Sequence, residues 1–234
     1  MDTVARSFPL MFIWLDLAWL VIFVAILIGT RRFQALLAGI AGGILYFLVD
    51  YGIFYLALGT RVVTGADTFW LLLWLSFSYG LTNFAWIWLL LDRDQLAPEW
   101  SILIVSAWLA VAFLSQNFNG GSPTIHISRG AASYHGIMAL ILFAGYGLLS
   151  MNNIRARARH CATVSIPRLL AIGIGVQLAW ESALLLSGIR PTGVSTLIVN
   201  SLIETNLGMP YLYWIHKAFS RRWQEDLRLV QKKA

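Results

Sequence analysis

The sequence has little charge: aspartate, glutamate, lysine and arginine make up 12% of its 234 residues, while hydrophobic residues make up 59%. Soluble domains carry charge on about a quarter of their residues, so this composition excludes an ordinary soluble protein. The single cysteine, Cys161, has no partner in the chain, which excludes an internal disulfide framework and a cysteine metal site. The composition therefore predicts a polytopic membrane protein.

The chain also lacks the short motifs of several enzyme classes. It contains no H-E-x-x-H zinc motif, no nucleotide-binding glycine loop after a strand and no G-x-S-x-G nucleophile elbow. Zinc proteolysis, ATP-driven transport and serine hydrolysis therefore have no support, and we expect neither a metal nor a cofactor. Lys217 lies at the predicted cytoplasmic end of the last span rather than at mid-membrane depth, which argues against a retinal Schiff base.

Seven apolar windows are long enough to cross a bilayer as helices. They lie at about residues 8–29, 35–58, 68–91, 99–115, 133–151, 168–188 and 194–216, separated by short charged turns. The windows are continuous rather than alternating, which excludes a closed barrel, the other structure that satisfies backbone hydrogen bonds in lipid. The sequence therefore predicts an all-α membrane protein with seven transmembrane helices.

The basic residues predict the orientation of these helices. Of the 17 lysines and arginines, all but Arg6, Arg61, Arg129 and Arg190 fall on one predicted side of the membrane, in alternate loops, at the ends of spans and in the tail at residues 218–234. The positive-inside rule therefore places the N-terminus outside and the C-terminus in the cytoplasm of a multi-pass cell-membrane protein. The formal net charge of +6 belongs to segments beside membrane spans, so we expect membrane lipids rather than nucleic acid as partners.

Two pairs of predicted spans resemble each other. The second and sixth spans each contain an acid, Asp50 or Glu181, followed by a Gly-x-Arg exit and a Thr-Gly turn, and the third and seventh spans match more loosely. A four-helix offset keeps the copies in one orientation, so the pattern predicts two parallel three-helix repeats joined by a fourth helix.

The predicted repeats occupy residues 1–95 and 133–217. Residues 96–132 form the linker helix and an outer loop, and residues 218–234 form a basic cytoplasmic tail. This three-plus-one-plus-three architecture resembles that of SWEET sugar transporters and nicotinamide riboside transporters, which implies alternating access.

Four acids, Asp16, Asp50, Glu181 and Glu204, lie inside predicted spans. Each is about 7 to 11 residues from the predicted outer end of its helix, which at about 1.5 Å per residue is a depth of roughly 10–16 Å. An ionisable group at mid-membrane costs roughly 2.5–3.5 kcal/mol on insertion scales, so such residues are functional candidates. Their shared depth predicts an acid-lined cavity in the outer half of the bilayer.

The seventh span carries a polar stripe. Asn200, Glu204, Gly208 and Tyr211 follow helical spacing, and we expect Gly208 and Pro210 to kink or unwind the helix. Tyr79 and Asn83 occupy the third span, and Tyr51 and Trp180 flank the acids of the second and sixth spans. Serines and threonines beside them, including Ser201 and Thr205, are expected to serve mainly in helix packing.

Two outer features have two interpretations each. Arg61 and Arg190 end their helices at the outer face, where we favour snorkelling into the interface over ion pairs with the acids. The segment 116–135 contains a Gly-Gly-Ser-Pro turn, and we favour an ordinary loop over a lid.

Two functions remain open. The first is a carrier or channel for a small polar or cationic solute, with proton coupling through the acids. Its predicted binding residues are Asp50, Tyr51, Tyr79, Asn83, Trp180, Glu181, Asn200, Glu204 and Tyr211.

The second is an intramembrane enzyme. The segment Gln177-Leu-Ala-Trp-Glu181 resembles the Asn-x-x-Trp-Glu motif of integral membrane terpene cyclases, with glutamine in place of asparagine. The resemblance implies an isoprenoid lipid substrate, Glu181 and Glu204 as catalytic acids and Trp180 as a cation-stabilising ring. A ligand-binding protein without catalysis is a further possibility.

Overall fold

A computed structural model describes residues 4–129, 134–190 and 193–233 of the chain. The helices are α1 (Leu10–Gly29), α2 (Phe33–Phe47), α3 (Thr68–Asp92), α4 (Ala97–Asn117), α5 (His135–Ala158), α6 (Ile166–Leu186), α7 (Val194–Ile203) and α8 (Met209–Lys233). The π-helical segment Leu48–Ala57 continues α2 without a break. The strands are β1 (Val4–Pro9), β2 (Arg61–Thr64) and β3 (Thr124–Arg129).

Within the described ranges, five helices are long and apolar enough to cross a membrane. They span Leu10–Gly29, Phe33–Ala57, Ala97–Asn117, Gly136–Ala158 and Ile166–Leu186. Many of their large apolar side chains are exposed, such as Val21 on α1 and Phe143 on α5. Apolar faces of this kind suit lipid rather than water, so the fold is that of a multi-pass membrane protein.

The third and seventh predicted spans differ from these five. Helix α3 buries 16 of its 25 residues, including Ser76, Thr82 and Asn83, so its polar side chains face other helices. The predicted span at 194–216 is divided between α7 and α8, with turns from Glu204 to Gly208 between them. The expected interruption of this helix is therefore confirmed, whereas the seven-span count, the orientation and the two repeats stay predictions.

A three-stranded antiparallel sheet, ordered β1-β3-β2, adds to the helices predicted from the sequence. Its buried face carries Phe8, Ile125 and Ile127, and the Phe8 ring lies 5.7 Å from that of Trp74 on α3. The loop interpretation of 116–135 thus misses β3, and residues 130–133 of that segment lie outside the described ranges. We call the end of the bundle that holds this sheet the outer end.

Helices α2 and α3 pack with almost no side chain between their backbones. A Cβ built on Gly80 would lie 2.3 Å from the Gly43 nitrogen, and one built on Gly39 would lie 2.6 Å from the Leu81 carbonyl oxygen. Such approaches are possible only without a Cβ, and small residues have this role in membrane helix pairs. The Gly39–Gly43 stretch therefore fixes α2 and its π-helical continuation against the central helix.

Candidate functional site

A buried polar cluster connects α3, α6 and α7 toward the outer end. Tyr79 lies eleven residues after the start of α3, Gln177 nine residues before the end of α6, and Glu204 ten residues after the start of α7. At about 1.5 Å per residue these depths are about 13–17 Å, close to the middle of a bilayer. Polar groups at this depth need partners within the protein.

Gln177 is the centre of the cluster. Its Oε1 accepts hydrogen bonds from the Tyr79 hydroxyl and, at 2.6 Å, from Thr205 Oγ1. Its Nε2 donates to Glu181 Oε1 at 3.3 Å and to Glu204 Oε2 at 3.1 Å. One fully buried amide therefore joins three segments of the chain, and its orientation is determined by two donors and two carboxylates.

Glu181 is fully buried and held by Arg190. The Arg190 Nε lies 2.6 Å from Oε2, and Nη2 donates to Oε1 at 2.9 Å, while Asn200 Nδ2 approaches Oε1 at 3.5 Å. The pair thus combines one charge-assisted hydrogen bond with a close ionic contact, and the attraction of the two charges compensates their burial. The favoured snorkelling of Arg190 is wrong, because the turn after α6 directs the side chain back into the bundle.

Asp50 and Arg61 form the corresponding pair at the end of the second helix. Asp50 lies in the π-helical segment, Arg61 begins β2, and both side chains are buried in an ion pair. A π-helical stretch is rare and frequently marks a functional site. The snorkelling interpretation of Arg61 is wrong as well, since its guanidinium is buried against Asp50 instead of exposed at the interface.

Arg6 of β1 brings a third guanidinium to this region. It lies 5.8 Å from the centre of the Trp180 ring, and the backbone of β1 is joined to the turn before Arg190 by a 2.8 Å bond from Ser7 N to Ile189 O. Burial, followed by the charge of Arg190, lowers the pKa of Arg6 to about 10, while Glu181 opposes this shift. Arg6 therefore remains a cation at neutral pH.

These arginines change the expected chemistry of the predicted acid-lined cavity. Asp50, Glu181 and Glu204 are accompanied by Arg6, Arg61 and Arg190, so the region balances its charges instead of presenting bare carboxylates. The arginines were expected at the interface, because depth along a helix does not reveal where a long side chain turns, whereas the membrane depth of the acids stays a prediction.

Several predicted site residues lie apart from the cluster. Asp16 accepts a 2.9 Å hydrogen bond from Trp74 Nε1 in the α1–α3 contact. Asn83 donates to the Tyr79 carbonyl within α3, and the Tyr211 hydroxyl donates to the Ile141 carbonyl on α5. Tyr51 stacks between Phe47 and Tyr55 along one face of the second helix. The structure brings together Tyr79, Trp180, Glu181, Asn200 and Glu204 from the predicted set.

The cluster includes residues that the sequence analysis did not assign to the site. Gln177 stands one turn before Glu181, so helical spacing alone could have placed it on the same face. Thr205, expected to serve in packing, bonds directly to Gln177. Tyr46 packs edge-on against Tyr79 with ring centres 4.6 Å apart, and no local pattern distinguishes it from other aromatic residues of the second span.

Asn206 supports the turn between α7 and α8. It is fully buried, its Oδ1 accepts from the Tyr146 hydroxyl at 3.3 Å, and its Nδ2 donates to the Ser201 carbonyl at 3.4 Å. Gly173 of α6 makes room for it, since a Cβ there would lie 2.3 Å from Asn206 Oδ1.

We expect Gly173→Ala to destabilise the protein by about 1–3 kcal/mol, because the added methyl group must displace Asn206. Gly175→Ala is the matched control in the same helix, since a Cβ there meets no atom within 4 Å. Thermal unfolding in detergent, followed by tryptophan fluorescence, measures both variants. Equal unfolding temperatures for the two would contradict the close contact of Gly173 with Asn206.

No protein-family model, curated protein or solved structure matches the chain. The function is therefore inferred from the chemistry of its residues.

Proposed function

We propose that the protein is a membrane carrier for a small polar or cationic solute, which binds at Tyr79, Gln177, Glu204 and Thr205. The observation that carries this proposal is the interruption of the last apolar segment at the polar cluster: α7 ends at Ile203, and the next two residues bond to Gln177. Transporter folds use interrupted helices of this kind to expose polar backbone near the membrane midplane.

The hydrogen bonds of Gln177 are suited to exchange with a solute. Its contact with Glu204 is 3.1 Å long, and Glu204 is only partly buried, so a hydroxyl or ammonium group could replace the amide as donor to this carboxylate. Protonation of Glu204 would weaken the same bond, which gives a route to proton coupling. The two sides of the turn, α7 and α8, would then move relative to each other around the bound solute.

Asp50 and Glu181 have a different role in this proposal. Both are held by arginines from the outer end, so they position the walls of the site rather than bind the solute. Asn200 links the wall residue Glu181 to the solute-binding residue Glu204, since it lies one helical turn before Glu204 and approaches Glu181. The proposed set of solute-binding residues is therefore smaller than the set predicted from the sequence.

Mass spectrometry of co-purifying small molecules tests the proposal. Wild type, Glu204→Gln and the control Glu225→Gln, which alters an exposed glutamate of α8, are purified in parallel. We expect a polar metabolite enriched with wild type and the control and reduced about tenfold or more in Glu204→Gln, because a hydrogen bond to a charged group contributes about 1.5–3 kcal/mol. Uptake of that metabolite into proteoliposomes should follow the same order. Identical metabolite profiles in all three proteins would contradict a binding role for Glu204.

Acid catalysis on an isoprenoid lipid is the second candidate function. It is favoured by the aromatic rings beside the cluster, since Tyr79 lies 4.6 Å from Tyr46 and 5.8 Å from Trp180, centre to centre, and aromatic faces stabilise carbocations. Because Arg190 holds Glu181, the proton donor in this candidate would be Glu204 rather than the motif glutamate. Cyclisation of an epoxy-farnesol probe by purified wild type, absent in Glu204→Gln, would favour this enzyme over the carrier.

A further inference from the structure

The end of the bundle opposite the sheet contains a polar cavity, with a volume of about 250 Å³. It lies between the turn that joins α1 to α2, the end of α3 and the middle of α8. Its polar wall includes Arg31, Arg32, Gln34, Asp94, Ser220 and Trp223. None of these residues belongs to the cluster around Gln177, so this cavity is separate from the proposed carrier site.

The acids of this cavity already have partners. Asp94 accepts from Arg32 Nε at 2.6 Å and from Nη2 at 3.2 Å, and Asp92 lies 2.6 Å from His216 Nε2. Burial is the largest single influence on the pKa of the Asp94 carboxyl and raises it, but the hydrogen bonds from Arg32 and the Leu96 backbone, together with the charge of Arg32, outweigh burial, so the pKa lies below its usual value. Both carboxylates are therefore engaged in the wall of the cavity and do not offer a site for a cation.

Arg31 is the second arginine of the cavity, beside Arg32. Its backbone is held at φ 58°, its side chain is exposed at the rim of the cavity, and no acid of the described residues forms an ion pair with it. Ser220 and Gln34, whose Oγ and Oε1 atoms lie 3.4 Å apart, add a hydroxyl and an amide to the lining of the cavity. The combination of a guanidinium, a hydroxyl and an amide group is suited to phosphate oxygens.

The surroundings of the cavity match the depth of lipid headgroups. Arg31 lies two residues after the end of the apolar helix α1, and Trp223, which stacks on Phe219 of α8, is of the residue type that anchors proteins at the membrane interface. The positive-inside rule assigns this end of the bundle to the cytoplasmic leaflet, which carries anionic lipids.

We propose that this cavity binds the phosphate group of an anionic phospholipid of the inner leaflet, with Arg31 as its charge partner and Trp223 against its glycerol backbone. The bound lipid would connect the α1–α2 turn with α8, two segments that are distant in sequence. It would therefore hold the last helix against the bundle independently of any solute at the other end.

Lipid binding by the full chain in detergent, titrated with phosphatidylglycerol and observed by native mass spectrometry, tests the site. Arg31→Asn is compared with Arg93→Asn, because Arg93 is also exposed at this end and has a positive φ of 55°. Asparagine tolerates this backbone conformation, so both variants are expected to fold. We expect Arg31→Asn to weaken phosphatidylglycerol binding about fivefold or more, and Arg93→Asn to leave it unchanged.

Three outcomes would overturn the proposal. Equal losses in the two variants would indicate diffuse attraction to basic residues instead of a cavity. Unchanged phosphatidylglycerol binding in Arg31→Asn would show that Arg31 is not the charge partner of the lipid. Competition by inorganic phosphate at the same concentration as the lipid would assign the cavity to a soluble anion rather than to a phospholipid. Failure of the carrier proposal would leave all three measurements unaffected, because they probe residues at the other end of the bundle.

Discussion

Replacing Arg190 with glutamine is expected to lower the free energy of unfolding by about 3–5 kcal/mol, because it leaves the fully buried Glu181 carboxylate without its cation. Glutamine preserves most of the volume of the side chain, so the loss reports charge rather than packing. The Gln177 and Asn200 amides would still donate to Glu181, at 3.3 and 3.5 Å, but neither supplies a charge. Denaturant unfolding in mixed micelles, followed by tryptophan fluorescence, measures the change.

A double variant separates the effect of the ion pair on stability from the effects of the two single substitutions. Arg190→Gln with Glu181→Gln removes both charges, so it should be more stable than Arg190→Gln alone. Arg221→Gln is the surface control, because Arg221 and Glu225 are exposed and 4.0 Å apart, and exposed pairs of this kind often contribute nothing measurable. A double variant as unstable as Arg190→Gln would show that the cost does not come from an uncompensated carboxylate.

Gly80→Ala is expected to have the second large effect. The new Cβ would lie 2.3 Å from the Gly43 nitrogen and 2.4 Å from its Cα, and backbone atoms in two packed helices cannot rotate away as a side chain can. Helices α2 and α3 must therefore separate, and we expect a loss of about 3 kcal/mol or more, at or above the upper end of the usual cost of overpacking. The unfolding temperature of the purified variant and its yield of monodisperse protein provide the measurement.

Gly147→Ala is the control for this substitution. Gly147 lies within α5, where a Cβ meets no atom within 4 Å, so alanine there changes helix propensity without a steric clash. We expect Gly147→Ala to be neutral or slightly stabilising. A comparable loss of stability in both variants would mean that the α2–α3 contact is looser than the structure describes.

The helices could be predicted from the sequence because lipid imposes a local rule. A segment such as Leu10–Gly29 is apolar throughout, and its length alone identifies it as a span. The interruption near Gly208 could also be anticipated from Gly208 and Pro210, although the turns begin earlier, at Glu204. The sheet could not, since β1, β2 and β3 are four to six residues long and pair only with strands distant in sequence.

The candidate site was predictable to the extent that depth and helical spacing determine it. Predicted depth and helical spacing identified four polar residues that the structure places in one network: Tyr79, Glu181, Asn200 and Glu204. The role of Arg190 was not predictable, because it depends on a turn that reverses the side chain toward its own helix.

The order of the strands also has a consequence for biogenesis. Strand β1 is synthesised before the helices α1 to α8, yet its partner β3 follows α4, and its contact with Ile189 follows α6. Pairing between such distant segments must wait for the later ones, so β1 emerges on its side of the membrane with an unpaired edge. The outer end of the molecule therefore closes only after most of the chain has been inserted, and until then Arg6 lacks its place beside Trp180.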